Sequence, residues 1–142
     1  METTDNMKRS ALFLIAMLIA GPDPGVAGSA SHLNASRFND TQAVNAILGE
    51  GSNQSDRAML GIACAIRNRG TLQGVYGLNN PVVERASAGL RERAENAWEQ
   101  SASCDIVSGC RYFGCPYDAP YFLHTLHYRA VLTIGAITIY KP

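Results

Sequence analysis

The sequence predicts a small α+β domain, mainly helical, that closes in a C-terminal β-hairpin. Three observations predict it: two helix-period segments that meet around Glu50, a third apolar stripe with its own cap, and two β-branched runs joined by Gly135-Ala136. At 142 residues the chain allows one domain, long enough for a real core.

The first helix begins at Asp40-Thr41, read as an N-cap pair, and places Ala43, Val44, Ile47 and Leu48 at helical spacing, so it is expected to stop at Gly49. Ser55 caps the second, with Asp56 in its first turn and Ala58, Met59, Ile62, Ala63 and Ile66 on one face until Gly70 ends it with a left-handed C-cap. Arg57, Arg67 and Arg69, with Asn68 beside them, are expected on its solvated side. The third helix spans residues 80–101, with Asn80 as cap, Pro81 at the first position, and Val82, Val83, Ala86, Leu90, Ala94, Ala97 and Trp98 as an interrupted stripe. Trp98 on that stripe reads as a core anchor, and Arg91 with Glu95 as a solvated i,i+4 pair. The hairpin takes residues 127–134 and 137–141 around a two-residue, Gly-first turn.

Glu50 lies between Gly49 and Gly51 at the end of the first helix. A carboxylate there faces the negative end of the helix dipole and the unpaired carbonyls of the last turn, which disfavours its charged form. Apolar cover from the next helix adds desolvation in the same direction. A carboxylic acid that keeps its proton near neutral pH is equipped to protonate a leaving oxygen. The competing reading is a solvated turn residue.

Residues 1–30 read as a secretory signal: Lys8 and Arg9 form the basic region, residues 11–20 the apolar run, and cleavage is expected after Ala27 or Ala30. The run is about half of the roughly 20 residues that span a bilayer, so an uncleaved anchor is the weaker alternative. Residues 31–39 are then a polar tether, and residues 40–142 the domain. The chain left after residue 30 carries ten basic and nine acidic residues, its nine arginines scattered, which argues against a nucleic-acid partner. Export to an oxidising, secreted or cell-envelope location makes the cysteines informative. Cys64 on the apolar side of the second helix is expected as a buried free thiol, whereas Cys104, Cys110 and Cys115 fall within twelve residues of loop. Either Cys110 or Cys104 is expected to pair with Cys115. None of the cysteine spacings is the common one for zinc, and His124 and His127 stand three apart without an HExxH-like helix, so neither metal nor cofactor is expected.

The loop over residues 105–121 is rich in aromatic residues. Tyr112 and Tyr117 suit a saccharide groove, since a ring face packs on the apolar side of a sugar; Phe113 reads as core cover.

These segments resemble the SleB-like cell wall hydrolases, the spore-cortex-lytic and phage-borne enzymes that cut peptidoglycan. Gly49-Glu50-Gly51 is similar to the family's G-E-A/G, and Gly61 to Gly70 (GIACAIRNRG) to its A-V-A-x-x-I-x-N-R helix, with Gly74-Val75-Tyr76-Gly77 like the continuation in phage-type members. Asp105, Gly109, Tyr112 and Pro116 resemble a D-x-x-x-G-A-x-[YH] block, in which Cys110 stands at the alanine, and Val131-Leu132-Thr133-Ile134-Gly135 with Tyr140 resembles the closing V-x-x-I-G-x-x-x-F/Y. The likeness covers residues 40–141.

What the resemblance implies is a lysozyme-like fold and cleavage of glycan strands between N-acetylmuramic acid and N-acetylglucosamine. Glu50 is then general acid and base, the product a 1,6-anhydro sugar, and Tyr112, Asn68 and Asp105 substrate-side residues, with Asp105 the later carboxylate placed near the site. The partner is peptidoglycan, with no nucleic acid and no membrane partner beyond the signal. An inactive secreted wall-binding or structural module, and an N-acetylmuramoyl-L-alanine amidase, are the alternatives.

Overall fold

The computed structural model describes residues 38–142. Helices α1 (Asp40–Gly51), α2 (Asp56–Arg69), the single-turn α3 (Val82–Arg85) and α4 (Ala88–Gln100) precede a three-stranded antiparallel sheet. Its strands β1 (Tyr112–Gly114), β2 (Arg129–Ile134) and β3 (Ile137–Lys141) lie in the order β1-β3-β2. The expected signal, and all of the expected tether but Phe38 and Asn39, lie outside the described residues. Those two belong to the fold. Phe38 is buried with its ring 6.0 Å from that of Trp98.

Asn39, not Asp40-Thr41, caps α1. Its Oδ1 accepts the Gln42 N–H at 2.9 Å while Gln42 Oε1 accepts the Asn39 N–H at 3.0 Å, a reciprocal box that satisfies two donors with no helical partner. Asp40 is thereby freed to accept from Trp98 Nε1 at 2.9 Å, which ties the start of α1 to the end of α4. The helix also continues past Gly49 to Gly51. Gly49 is there for proximity: a Cβ on it would stand 1.8 Å from the carbonyl oxygen of Gly77.

The second helix starts and stops where the sequence places it. Ser55 Oγ accepts the Ala58 N–H at 3.3 Å, and Gly70 ends the helix at φ +71° with its N–H on Ile66 O. The expected third helix is two. Asn80 Oδ1 does accept the Val82 N–H, but at Ala86 the backbone leaves the helical region (ψ 130°), and Ser87 recaps the chain as α4 by accepting from the Leu90 N–H.

Two arginines expected in solvent are engaged. Arg91 donates to Asn45 Oδ1 on α1 and to Val83 O on α3 rather than pairing with Glu95. Arg67 lies 3.7 Å over the Trp98 ring and donates to Ser101 Oγ and Trp98 O, each at 2.8 Å. Between described residues the ion pair is Arg93 with Asp56 at 2.5 Å, both exposed, a contact of about 0–1 kcal/mol.

β3 is the central strand and alternates between two faces. Ile137 and Ile139 turn inward, where Gly61 of α2 leaves room for them: a Cβ there would meet Ile139 Cδ1 at 3.5 Å. Phe113 and Leu132, register partners of Ile139, complete this layer, so Phe113 is core cover as its sequence context suggests. Tyr140, with its partner Tyr112, turns to the opposite face. The Gly-first turn is present, with positive φ at Gly135 (59°) and not at Ala136. β2 begins at Arg129 rather than residue 127 because His127 takes φ +55°, a left-handed conformation no strand contains, and Val131 is extra in the register as a bulge. The strand β1 replaces part of the expected loop.

The cysteine pairing differs from both sequence candidates. Cys64 bonds Cys104, across α2 and the turn Ser101–Ser103 that follows α4, with Cα atoms 6.1 Å apart. Cys110 and Cys115 are free thiols. Strand β1 lies between these two and runs extended at about 3.3 Å per residue, which carries them apart rather than together.

Candidate functional site

The last turn of α1 presents Glu50, and the Tyr76–Asn79 turn closes over it. The fit depends on paired glycines. A Cβ on Gly77 would come within 2.7 Å of Glu50 Cγ and Glu50 N, as one on Gly49 would strike Gly77 O. Asn80 Nδ2 donates to Gly49 O at 3.1 Å and takes up one of the carbonyls left open at the helix end. With backbone against backbone, the Gly77 N–H reaches Glu50 Oε1 at 2.7 Å. On its other side Gly51 allows Met59 and Ile62 of α2 to lie where a Cβ would meet them at 3.1–3.2 Å. The G-E-G triplet is thus a glutamate gripped between a turn and a helix.

Glu50 is half-buried, and its pKa is raised. Burial is the largest cause; the backbone N–H groups of Gly77 and Tyr76 pull the other way, and the negative charge of Asp118 adds to the rise. The direction is the one expected from the helix end, but desolvation leads. Asp118 rather than Asp105 is the carboxylate that acts on Glu50. Asp105 is exposed, just beyond the Ser101–Ser103 turn.

Sequence reasoning passed over Asp118. It sits in the turn after β1, its N–H on Cys115 O at 3.0 Å, and its Oδ2 accepts from Cys115 N at 2.9 Å and from the Cys115 thiol at 3.2 Å. Gly114 admits it, since a Cβ there would lie 2.9 Å from both Asp118 Oδ2 and Phe122 Cε2. A proline one residue after a cysteine and an aspartate two further on is a legible turn signature, but its approach to Glu50 is tertiary.

The outer face of the sheet continues from Asp118 as an aromatic wall. Phe122 stacks on Tyr140 at 4.5 Å, and Tyr112 lies 6.2 Å from Phe122 and 4.9 Å from Tyr128. The single turn of wide helix at Tyr121–Thr125 supplies Phe122, whose carbonyl accepts the Tyr128 N–H. Burial pushes the Tyr128 phenol up to about 12, and its hydrogen bond to Tyr112 adds to the rise. Arg69, from the end of α2, lies 5.1 Å over the Tyr112 ring and donates to Gln73 O. Tyr112 is therefore part of the wall. Tyr76 and Tyr117 are exposed at 58% and 92%.

Asn68, which the resemblance places on the substrate side, is engaged within the fold. Its Nδ2 donates to Val107 O at 3.2 Å and Cys110 O at 2.9 Å, holding the segment before β1 against α2. It positions the strand that carries Tyr112. Among the described residues no three His, Cys, Asp or Glu side chains are grouped to hold a metal ion, His124 and His127 included.

Chemically, the arrangement offers one carboxyl of raised pKa with an N–H fixing one oxygen, a second carboxylate within electrostatic reach, and an aromatic surface bearing phenols and a cation. Compared with family models, curated proteins and solved structures, the chain gives no match.

Proposed function

We propose that the protein is a peptidoglycan-cleaving enzyme of lysozyme-like fold, acting on the bond between N-acetylmuramic acid and N-acetylglucosamine as a lytic transglycosylase with Glu50 as its single catalytic acid and base. The observation that carries the proposal is the environment of Glu50: a half-buried carboxyl whose proton affinity is raised, gripped at 2.7 Å by the Gly77 N–H, with Asp118 acting on it electrostatically. The likeness of Gly49-Glu50-Gly51 and of the GIACAIRNRG helix to the SleB-like pattern supports the same reading.

In this mechanism the Glu50 carboxyl gives its proton to the glycosidic oxygen as the C1–O bond breaks. The C6 hydroxyl of the same muramic residue then attacks C1 and passes its proton to the Glu50 carboxylate, which restores the acid. No water is consumed: the muramic end becomes a 1,6-anhydro sugar and the glucosamine end leaves with the proton from Glu50 as a free hydroxyl. The Gly77 N–H stabilises the carboxylate between the two steps and fixes its direction. Tyr112 and the rings beside it supply faces on which sugar rings stack.

The test is digestion of purified peptidoglycan followed by mass spectrometry of the soluble fragments. Muropeptides lighter by one water than the hydrolysis products are expected. Fragments with free reducing muramic ends would convert the proposal to hydrolysis, and an intact sacculus with a folded protein would end it.

A further inference from the structure

The loop that begins after Arg69 and ends at Gly77 is pinned at both ends. Arg69 holds the carbonyl of Gln73 near its start, and the Gly77 N–H holds Glu50 at its finish. Arg69 and the Glu50 carboxyl therefore hold the same loop, and Arg69 lies over the Tyr112 ring of the aromatic wall. Its guanidinium carries five N–H donors, of which one meets Gln73 O, and no carboxylate of the described residues pairs with it. It is half-buried, with the Tyr112 ring 5.1 Å below it. The Tyr128 ring lies 4.9 Å from that of Tyr112, so two phenols stand beside the cation. A partly desolvated cation with open donors and no counter-ion inside the domain is a receptor for an anion, and a guanidinium fork matches a carboxylate with two parallel bonds.

We propose that Arg69, together with the Tyr112 hydroxyl, forms a carboxylate-binding subsite that takes an acidic group of the peptide stem borne by the muramic residue. The proposal rests on the reading of Glu50 as a glycan-cleaving acid, because it gives the second anchor of the same substrate. Sugar rings stacked on the wall leave the stem pointing away from the scissile bond, and an ion pair at its end fixes which muramic residue lies at Glu50. Burial lowers the pKa of the Arg69 guanidinium, which fits a charge that has lost solvent without gaining a partner. The effect belongs to binding, since Arg69 touches no reacting atom.

The experiment uses the purified full-length protein and a soluble disaccharide-tetrapeptide from peptidoglycan, with its carboxylates either free or converted to primary amides. Titration calorimetry measures each Kd. Losing a charge-assisted hydrogen-bonded pair is expected to weaken binding of the amidated probe about tenfold in the wild type. Arg69→Met is expected to bind both probes equally and weakly, and Arg69→Lys to recover part of the preference. A melting curve shows whether Arg69→Met is folded; if it is not, the wild-type comparison and Arg69→Lys carry the test. Equal affinity of the two wild-type probes, a preference that survives in folded Arg69→Met, or no binding of either probe overturns the subsite. Lysis without carboxylate preference would leave Glu50 standing and remove Arg69; preference without lysis would do the reverse.

Discussion

A single hydrogen bond separates the two accounts of Glu50. A solvated turn glutamate has no reason to sit under a backbone N–H with glycines on either side, whereas here Oε1 is held by Gly77 and the carboxyl is half-buried. Because its pKa is raised, the folded state keeps a proton that the unfolded chain releases. The sign follows: the contribution to stability is complete below the unfolded carboxyl range and is lost as pH rises through the folded pKa. Glu50→Gln is always neutral and still accepts from Gly77. The variant is expected to melt at or above the wild-type temperature at pH 7, with the difference shrinking toward pH 4. Lysis of peptidoglycan should fall by about 10²- to 10⁴-fold or more, the contribution of a positioned general acid. If lysis and melting temperature drop together, Glu50 is structural; if neither changes, it is a surface residue.

At the level of elements, the cap and the stop of α2 were legible, while the cap and the end of α1 and the break between α3 and α4 were not. Ser55 and Gly70 bound α2 as read because both act locally, through a hydroxyl three residues from its donor and a left-handed φ. Asn39 was missed because Asp40 offers the same chemistry one position on, and only the tertiary demand of Trp98 Nε1 assigns Asp40 elsewhere. The break at Ala86 hides in an apolar stripe that continues on both sides of it. Disulfide choice failed for a related reason: proximity in sequence was weighed, yet β1 is extended between Cys110 and Cys115, while Cys104 is folded back onto α2 by the Ser101–Ser103 turn. The consequence is measurable. Mass spectrometry of the oxidised protein should find two free thiols, at Cys110 and Cys115. The Cys64–Cys104 bond joins residues 40 apart, so in the chain-entropy model it contributes about 4 kcal/mol, and reduction should lower the melting temperature accordingly. Alkylation of Cys64 without prior reduction would refute the pairing.

Over the whole molecule, the site is assembled from pieces that no local pattern connects: the end of α1, the Tyr76–Asn79 turn, the turn after β1 and the outer face of the sheet. Glu50 and Tyr112 stand out in the sequence because each lies in a recognisable local pattern. Asp118 does not, since nothing in its neighbourhood announces that Gly114 gives it room or that α1 ends nearby. Its presence sharpens the choice between hydrolysis, which needs a second carboxylate about 5 to 10 Å from the first, and transglycosylation, which does not. One oxygen of Asp118 is already committed to the N–H and thiol of Cys115, and its charge helps to keep the proton on Glu50. Both facts suit a tuning role better than activation of water. Asp118→Asn preserves an acceptor for Cys115 and removes the charge, so Glu50 should lose its proton at lower pH. Lysis is then expected to persist with the same anhydro products, while the alkaline limb of its pH profile moves to lower pH. A folded Asp118→Asn protein as inactive as Glu50→Gln would make Asp118 the base of a hydrolase and would overturn the single-carboxylate mechanism.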